Sequence, residues 1–171
     1  MTAERRNRWV NFFDPSKYLG GVECPILFLN GSNDFAYPLD SYRKSYQLVK
    51  NPRTLSVRIA LPHGHIWTFG EVDAFVDSLL KEGEPLPGLS PMKIEGDSVA
   101  ANYSARIAIK KAELHYTTDD GPWQKRVWKS TAADPSNGRV AAKLPLERPL
   151  VFFLSVTDER GLTVTTPHQD L

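Results

Sequence analysis

An aspartate and two histidines stand just past apolar runs in "LNGSNDFAYP" and "LPHGHIWTFG": Asp34 in the first, His63 and His65 in the second. A carboxylate that accepts a hydrogen bond from one imidazole nitrogen fixes the tautomer, stabilises the imidazolium and leaves the other nitrogen to act as a base. Asp34 with His65 is therefore a candidate general-base pair. Ser32, two residues before Asp34, is a candidate nucleophile for such a base, although a serine in "NGSND" also suits a turn former whose hydroxyl bonds local backbone. Without a serine the pair could activate water directly. His63, His65 and Asp34 also make an alternative set, two imidazoles and a carboxylate of the kind that holds zinc or iron. Alternation along a continuing strand would turn His63 away from His65, which weighs against the chelate. The expectation is that no metal and no cofactor is held.

The plain readings of these residues are structural. Asp34 could cap the helix that begins near Pro38, and His65 could be a strand-end histidine with its proton on a backbone carbonyl. Tyr37 and Trp67 are candidates for contacting a substrate. Trp67, Phe69, Trp9, Phe12 and Phe13 could line an acyl or aryl pocket, but aromatics at the ends of helices and strands more often pack in a core.

Strands must deliver these side chains to one place. "CPILFLN" is a continuous apolar run, as a strand covered on both faces should be, and "TLSVRIAL" reads as a second strand. Between them Leu39, Tyr42, Tyr46 and Val49 recur at helical spacing behind Pro38. After His65, the residues Val72, Phe75, Val76, Leu79 and Leu80 form an apolar helical stripe that Gly83 closes. A strand, crossover helix, strand, helix unit predicts two parallel strands, and loops at their carboxyl ends face one crevice. Asp34 and His65 would then share a rim.

The segment "EGEPLPGLSP" leaves neither period room to form and reads as a linker. Beyond it the alternation has period two, in Ile107 and Ile109, in Leu114 and Tyr116, and in "VFFLSVTD" and "LTVTT", with turn signals "DDGP", "PSNG" and "DERG" between runs. The predicted organisation is an α/β unit over 1–82, a linker over 83–91, and a small antiparallel β-sandwich of immunoglobulin or fibronectin type III character over 92–171. In the second unit Tyr116, Trp123 and Trp128 could make a flat carbohydrate platform, though the odd spacing of Trp123 and Trp128 would put them on opposite sides of one regular strand. His115 and His168 carry no signal.

The 171 residues are 41% hydrophobic with a formal net charge of +1. Lysines and arginines are scattered among acids, so no field is built for a phosphate backbone or an anionic bilayer, and neither nucleic acid nor membrane is expected as a partner. No apolar leader or spanning run is visible, which leaves the compartment unknown with the cytoplasm as the working expectation. Cys24 is the single cysteine and opens an apolar run, so it is expected to be a small buried hydrophobe. Two parallel strands alone leave unpaired edges and make a marginal sheet, which predicts a homo-oligomer, joined edge to edge through "CPILFLN".

The stretch "FFDPSKYLGGVECPILFLNGSNDFAYPLDSYRKSYQLV" followed by "LPHGHIW" resembles the C-terminal third of an α/β-hydrolase of the dienelactone hydrolase or acetylxylan esterase type. In that family a strand ending in G-x-x-D-x-x-x-P carries the triad acid and a later strand ending in G-H carries the triad histidine. The resemblance implies that Asp34, through Gly31 and Pro38, is the acid and that His65, through Gly64, is the histidine; His63 does not match. From "AELHYTTDDGPWQKRVWKSTAA" to "VFFLSVTDERGLTVTTPH" the chain also resembles the β-sandwich appended to some such hydrolases. The family's nucleophile elbow, G-x-S-x-G, is absent from the sequence. A second chain could supply the missing group, with Ser16, Ser41 and Ser45 as candidates.

Two functions follow as expectations. The first is a carboxylic ester hydrolase of this ancestry, acting on a small ester through Asp34 and His65. The second is a non-catalytic module that binds a glycan or a protein, with the first half as an oligomerisation platform. The missing elbow favours the second for this chain.

Overall fold

The computed structural model describes residues 1–64 and 68–171; His65 and Trp67, both candidate site residues, lie outside the described residues. The elements run α1 (Ala3–Phe13), β1 (Ile26–Gly31), α2 (Leu39–Tyr46), β2 (Arg53–Arg58), α3 (Gly70–Leu80), β3 (Gly88–Leu89), β4 (Lys93–Glu95), β5 (Ser98–Ser104), β6 (Ile109–Thr117), β7 (Lys129–Ala132), β8 (Arg139–Lys143), β9 (Val151–Asp158), β10 (Thr163–Thr165) and β11 (Gln169–Asp170).

The expected α/β class is corrected by this architecture, which is predominantly β. β1 and β2 do pair in parallel, from Ile26 opposite Arg53 to Gly31 opposite Arg58. Among the described residues they form a two-stranded sheet and no more, so there is no doubly wound α/β-hydrolase core. Helix α2 covers one side, where Tyr42 and Tyr46 meet Phe28 edge-on and Val49 and Leu55 close a small cluster. Helix α3 leaves Val72, Val76, Leu79 and Leu80 of its apolar stripe exposed. A parallel sheet needs helices over both faces to build a layered core, and here the second layer is not assembled.

The main core is made instead by two antiparallel sheets, β10-β9-β6-β7 with β11 on β9, and β3-β5-β4 with β8 on β5. Val99, Ala101 and Val140 from one sheet meet Leu114, Phe152, Leu154, Val156 and Val164 from the other. β9 is buried on both faces, and this is why "VFFL" is a continuous apolar run. On its second face Phe153 packs against Trp128 and His115. His115 bridges three strands, with Nδ1 2.7 Å from Ser130 Oγ on β7 and Nε2 2.8 Å from Ser155 Oγ on β9. The segment 83–91 contributes β3, which pairs with β5.

The parallel pair is attached to the sandwich through β10. Glu71, with no exposed surface, pairs with Arg58 at the end of β2 and accepts the Thr163 N–H at 2.7 Å. Val57 N–H donates to Thr165 Oγ1 (3.3 Å), and Arg43 pairs with Asp170 at 2.8 Å. Two expectations of burial are corrected. Cys24 is exposed, because it precedes β1 instead of lying within it. Trp9, Phe12 and Phe13 of α1 are exposed rather than packed, since no residue of that helix is buried. Among the described residues, no helix is long and apolar enough to cross a membrane.

Burial pushes the His115 imidazole down to about 4, and burial, reinforced by the neighbouring Arg43, pushes His168 down to about 4. Each is held neutral in the fold and gains a proton more readily when unfolded, near pH 6.5. Their contribution is complete above about pH 6.5 and is lost as pH falls toward 4. Melting temperature should therefore fall across that window, with roughly 3 kcal/mol at stake per histidine. Thermal unfolding of His115→Gln and His168→Gln, followed by circular dichroism, should show a flatter dependence over the same pH range.

Candidate functional site

Both segments that leave the carboxyl ends of the parallel pair, 32–38 after β1 and 59–64 after β2, gather at one rim. Gly31 permits their approach, because a Cβ there would lie 1.9 Å from the Leu61 carbonyl oxygen. Ala60 takes a left-handed backbone conformation, φ 55°, and turns the chain back after β2. Its N–H donates to Ser32 Oγ at 2.9 Å, and Ser32 Oγ in turn donates to Asn33 Oδ1 at 2.7 Å. Ser32 is fully buried; its hydroxyl is a brace between the two loops, with no surface toward the rim. Asn33 Nδ2 then donates to the carbonyls of Arg126 (2.8 Å) and Trp123 (3.3 Å), fastening the rim to the sandwich.

Asp34 stands at the centre of this rim. Its Oδ1 accepts the N–H groups of Ala36 (2.7 Å) and Tyr37 (2.9 Å), an arrangement typical of an aspartate turn. Its Oδ2 lies 3.0 Å from His63 Nδ1. Burial pushes the Asp34 carboxyl upward, but the Tyr37 amide, the His63 ring and the Ala36 amide together outweigh it and hold the group below the usual carboxylate range. Asn30 Nδ2 donates to the Tyr37 carbonyl at 2.7 Å, so the loop is tied at both ends.

His63 is the imidazole that the described residues bring to Asp34. Alternation along a continuing strand would not have placed it there, but β2 stops at Arg58 and residues 59–62 turn, so strand parity does not reach position 63. No sequence signal marks an alanine for a left-handed turn. Phe35 and Tyr37, with 65% and 59% of their surface exposed, stand around the ring at centroid distances of 5.3 and 5.6 Å. Tyr37 and His63, together with Tyr42, Phe69 and Leu61, border a cavity of about 580 Å³. Among the described residues, no group of three or more His, Cys, Asp or Glu side chains is placed to hold a metal ion.

The aromatics of the second unit are arranged differently. The Arg126 guanidinium lies 3.9 Å over the Trp123 ring, whose edge contacts His168, and Trp128 is turned onto Phe153. Trp123 lies in a 3-10 turn, Trp123–Lys125, ahead of β7, so the odd-spacing argument for one strand does not apply to the pair. The exposed rings of the molecule's polar rim are Phe35 and Tyr37.

No family model matches the chain, and no curated protein matches it. Among solved structures it is similar to OgpA from Akkermansia muciniphila, at 20% identity and a TM-score of 0.36 over 53% of this chain and 28% of that one. A cycloalternan-degrading enzyme from Trueperella pyogenes aligns at 14% identity and a TM-score of 0.31, over 46% of this chain and 11% of that one. A carbohydrate-binding module of family 56, a β-1,3-glucan-binding domain, aligns at 11% identity and a TM-score of 0.30, over 50% of this chain and 98% of that one. The chain thus spans 28% of the length of OgpA. At such scores the alignments place it in none of these families. The expected identity as an esterase of the α/β-hydrolase type is corrected by the fold, which is predominantly β and has no α/β-hydrolase sheet among the described residues.

Removing the Asp34 carboxylate leaves two loop amides without their acceptor. Asp34→Ala should cost about 1–3 kcal/mol in urea unfolding at neutral pH. Because the folded carboxyl sits low, its contribution is complete above the unfolded value near pH 4 and is lost as pH falls through the folded one. The gap between variant and wild type should narrow in acid.

Proposed function

We propose that the chain is a non-catalytic glycan-binding module whose contact surface is the rim around Asp34 and His63. The observation that carries this reading is the pair of exposed rings, Phe35 and Tyr37, flanking a carboxylate and an imidazole that are 3.0 Å apart. A pyranose presents C–H bonds on its faces and hydroxyls around its edge. Apolar ring faces with a few convergent polar groups between them are complementary to that pattern. Asp34 supplies a carboxylate acceptor at the centre of the rim, with the His63 imidazole held beside it, polar groups suited to sugar hydroxyls. An ionised carboxylate at the centre disfavours acidic sugars, so the ligand class is neutral glycans.

The buried hydroxyl of Ser32, already donating and accepting within the protein, supports binding over turnover at this rim. The hydrogen bonds of the 32–38 loop also pre-form the surface, so little ordering is left for the moment of binding.

Affinity electrophoresis in gels containing neutral polysaccharides (laminarin, xylan, hydroxyethyl cellulose and glucomannan) tests the reading. Retardation by at least one is expected, with about tenfold weaker binding in Tyr37→Ala. The Tyr37 ring is exposed and its backbone groups make the loop bonds, so this variant should keep its fold. Equal migration of wild type and Tyr37→Ala in every gel would remove the rim as a glycan site.

A further inference from the structure

A second concavity lies away from the rim, where β2 and the sandwich diverge. In the parallel ladder, Ile26 N–H donates to the Pro52 carbonyl (3.2 Å) and Ser32 N–H to the Arg58 carbonyl (2.8 Å). This phase directs the main chain of Thr54, Ser56 and Arg58 toward β1 and that of Arg53, Leu55 and Val57 toward the opposite edge. Val57 confirms it, since its N–H reaches Thr165 Oγ1 on β10. Beyond that bond the two edges separate into a wedge of about 560 Å³. The outward N–H and C=O groups of Arg53 and Leu55 meet no hydrogen-bond partner among the described residues.

We propose that this wedge is a docking site for an extended acidic peptide segment, which adds as a strand to the outer edge of β2. Main-chain donors and acceptors repeated at residues 53 and 55 match the two-residue period of a strand, a spacing that a peptide backbone satisfies. The facing walls include Pro87, Pro91 and Pro167, which lack an N–H and so do not close the edge themselves. Charge selects the partner. Lys50 and Arg53 line the wedge, and among the described residues no aspartate or glutamate does and neither cation forms an ion pair with an acid. Arg53 Nη1 donates to the Val49 carbonyl, which orients the guanidinium without neutralising it. Acidic side chains on a docked strand would therefore meet two uncompensated positive charges at the mouth.

The probe is a fluorescein-labelled alternating peptide, acetyl-(Glu-Val)4-amide, titrated into the full chain by anisotropy and followed by ¹⁵N amide shifts. Saturable binding is expected, with the largest shifts at Arg53 and Leu55. Lys50→Glu with Arg53→Glu should weaken it at least tenfold, as should raised salt; both residues are exposed, so the fold should persist. With peptides, four outcomes would overturn the proposal: no binding at roughly millimolar peptide, equal binding of the corresponding (Lys-Val)4 peptide, equal binding of a backbone N-methylated (Glu-Val)4, or unchanged affinity in the double variant. Preferential binding of polygalacturonate at the same amides would overturn it in favour of an acidic glycan.

Discussion

A carboxylate with no exposed surface holds the molecule's two parts in register. Burying an ionised group costs several kcal/mol unless charge and hydrogen bonds compensate it. Glu71 obtains both from elements distant in sequence, a guanidinium from the end of β2 and an amide from the start of β10. Arg58 is in turn fixed by its position over the Phe69 ring, 5.8 Å away, and by its bond to Thr163 Oγ1. The two-stranded parallel sheet, marginal by itself, gains from this clasp a rigid neighbour along its open side. The position of β2 against β10, and with it the shape of the wedge, follows.

The rim at the other end of the same strands depends on a second constraint, steric instead of electrostatic. With no Cβ at Gly31, the Leu61 carbonyl can lie against the end of β1. That approach brings position 63 to position 34. Ser32, Asn33 and Asn30 then spend their polar groups on the two loops and on the sandwich. Each of these side chains would look catalytic or ligand-binding by type alone; here they fix the backbone from which Phe35, Tyr37 and His63 project.

Much of the fold was legible. The apolar runs marked β1 and β2, helical spacing marked α2 and α3, and turn signals separated the later strands, because those patterns are set by local backbone geometry and by which face is buried. What covers a face is a matter of tertiary contact, and there the reading failed. The stripe of α3 and the aromatics of α1 were recognisable as apolar, yet both lie open, and an α/β core was expected over 1–82, where the described residues form only a two-stranded parallel sheet. Within the site, Asp34 stood out because loops at the carboxyl ends of adjacent parallel strands share a rim, where a carboxylate can orient an imidazole. His63, the imidazole that the described residues bring beside it, was set aside because it falls outside the family pattern; it reaches Asp34 through a turn after Arg58 that rests on an alanine with positive φ, while the expectation for His65 lies outside the described residues.

The bond from Thr163 to Glu71 has a consequence for how the chain is made. Synthesis runs from the amino terminus, so β1, β2 and α3 emerge long before the residues of β10 that complete their boundary. Until then the parallel pair has one open side and Glu71 lacks its amide partner. The parallel pair thus waits for its boundary on a strand whose amide lies 92 residues beyond Glu71.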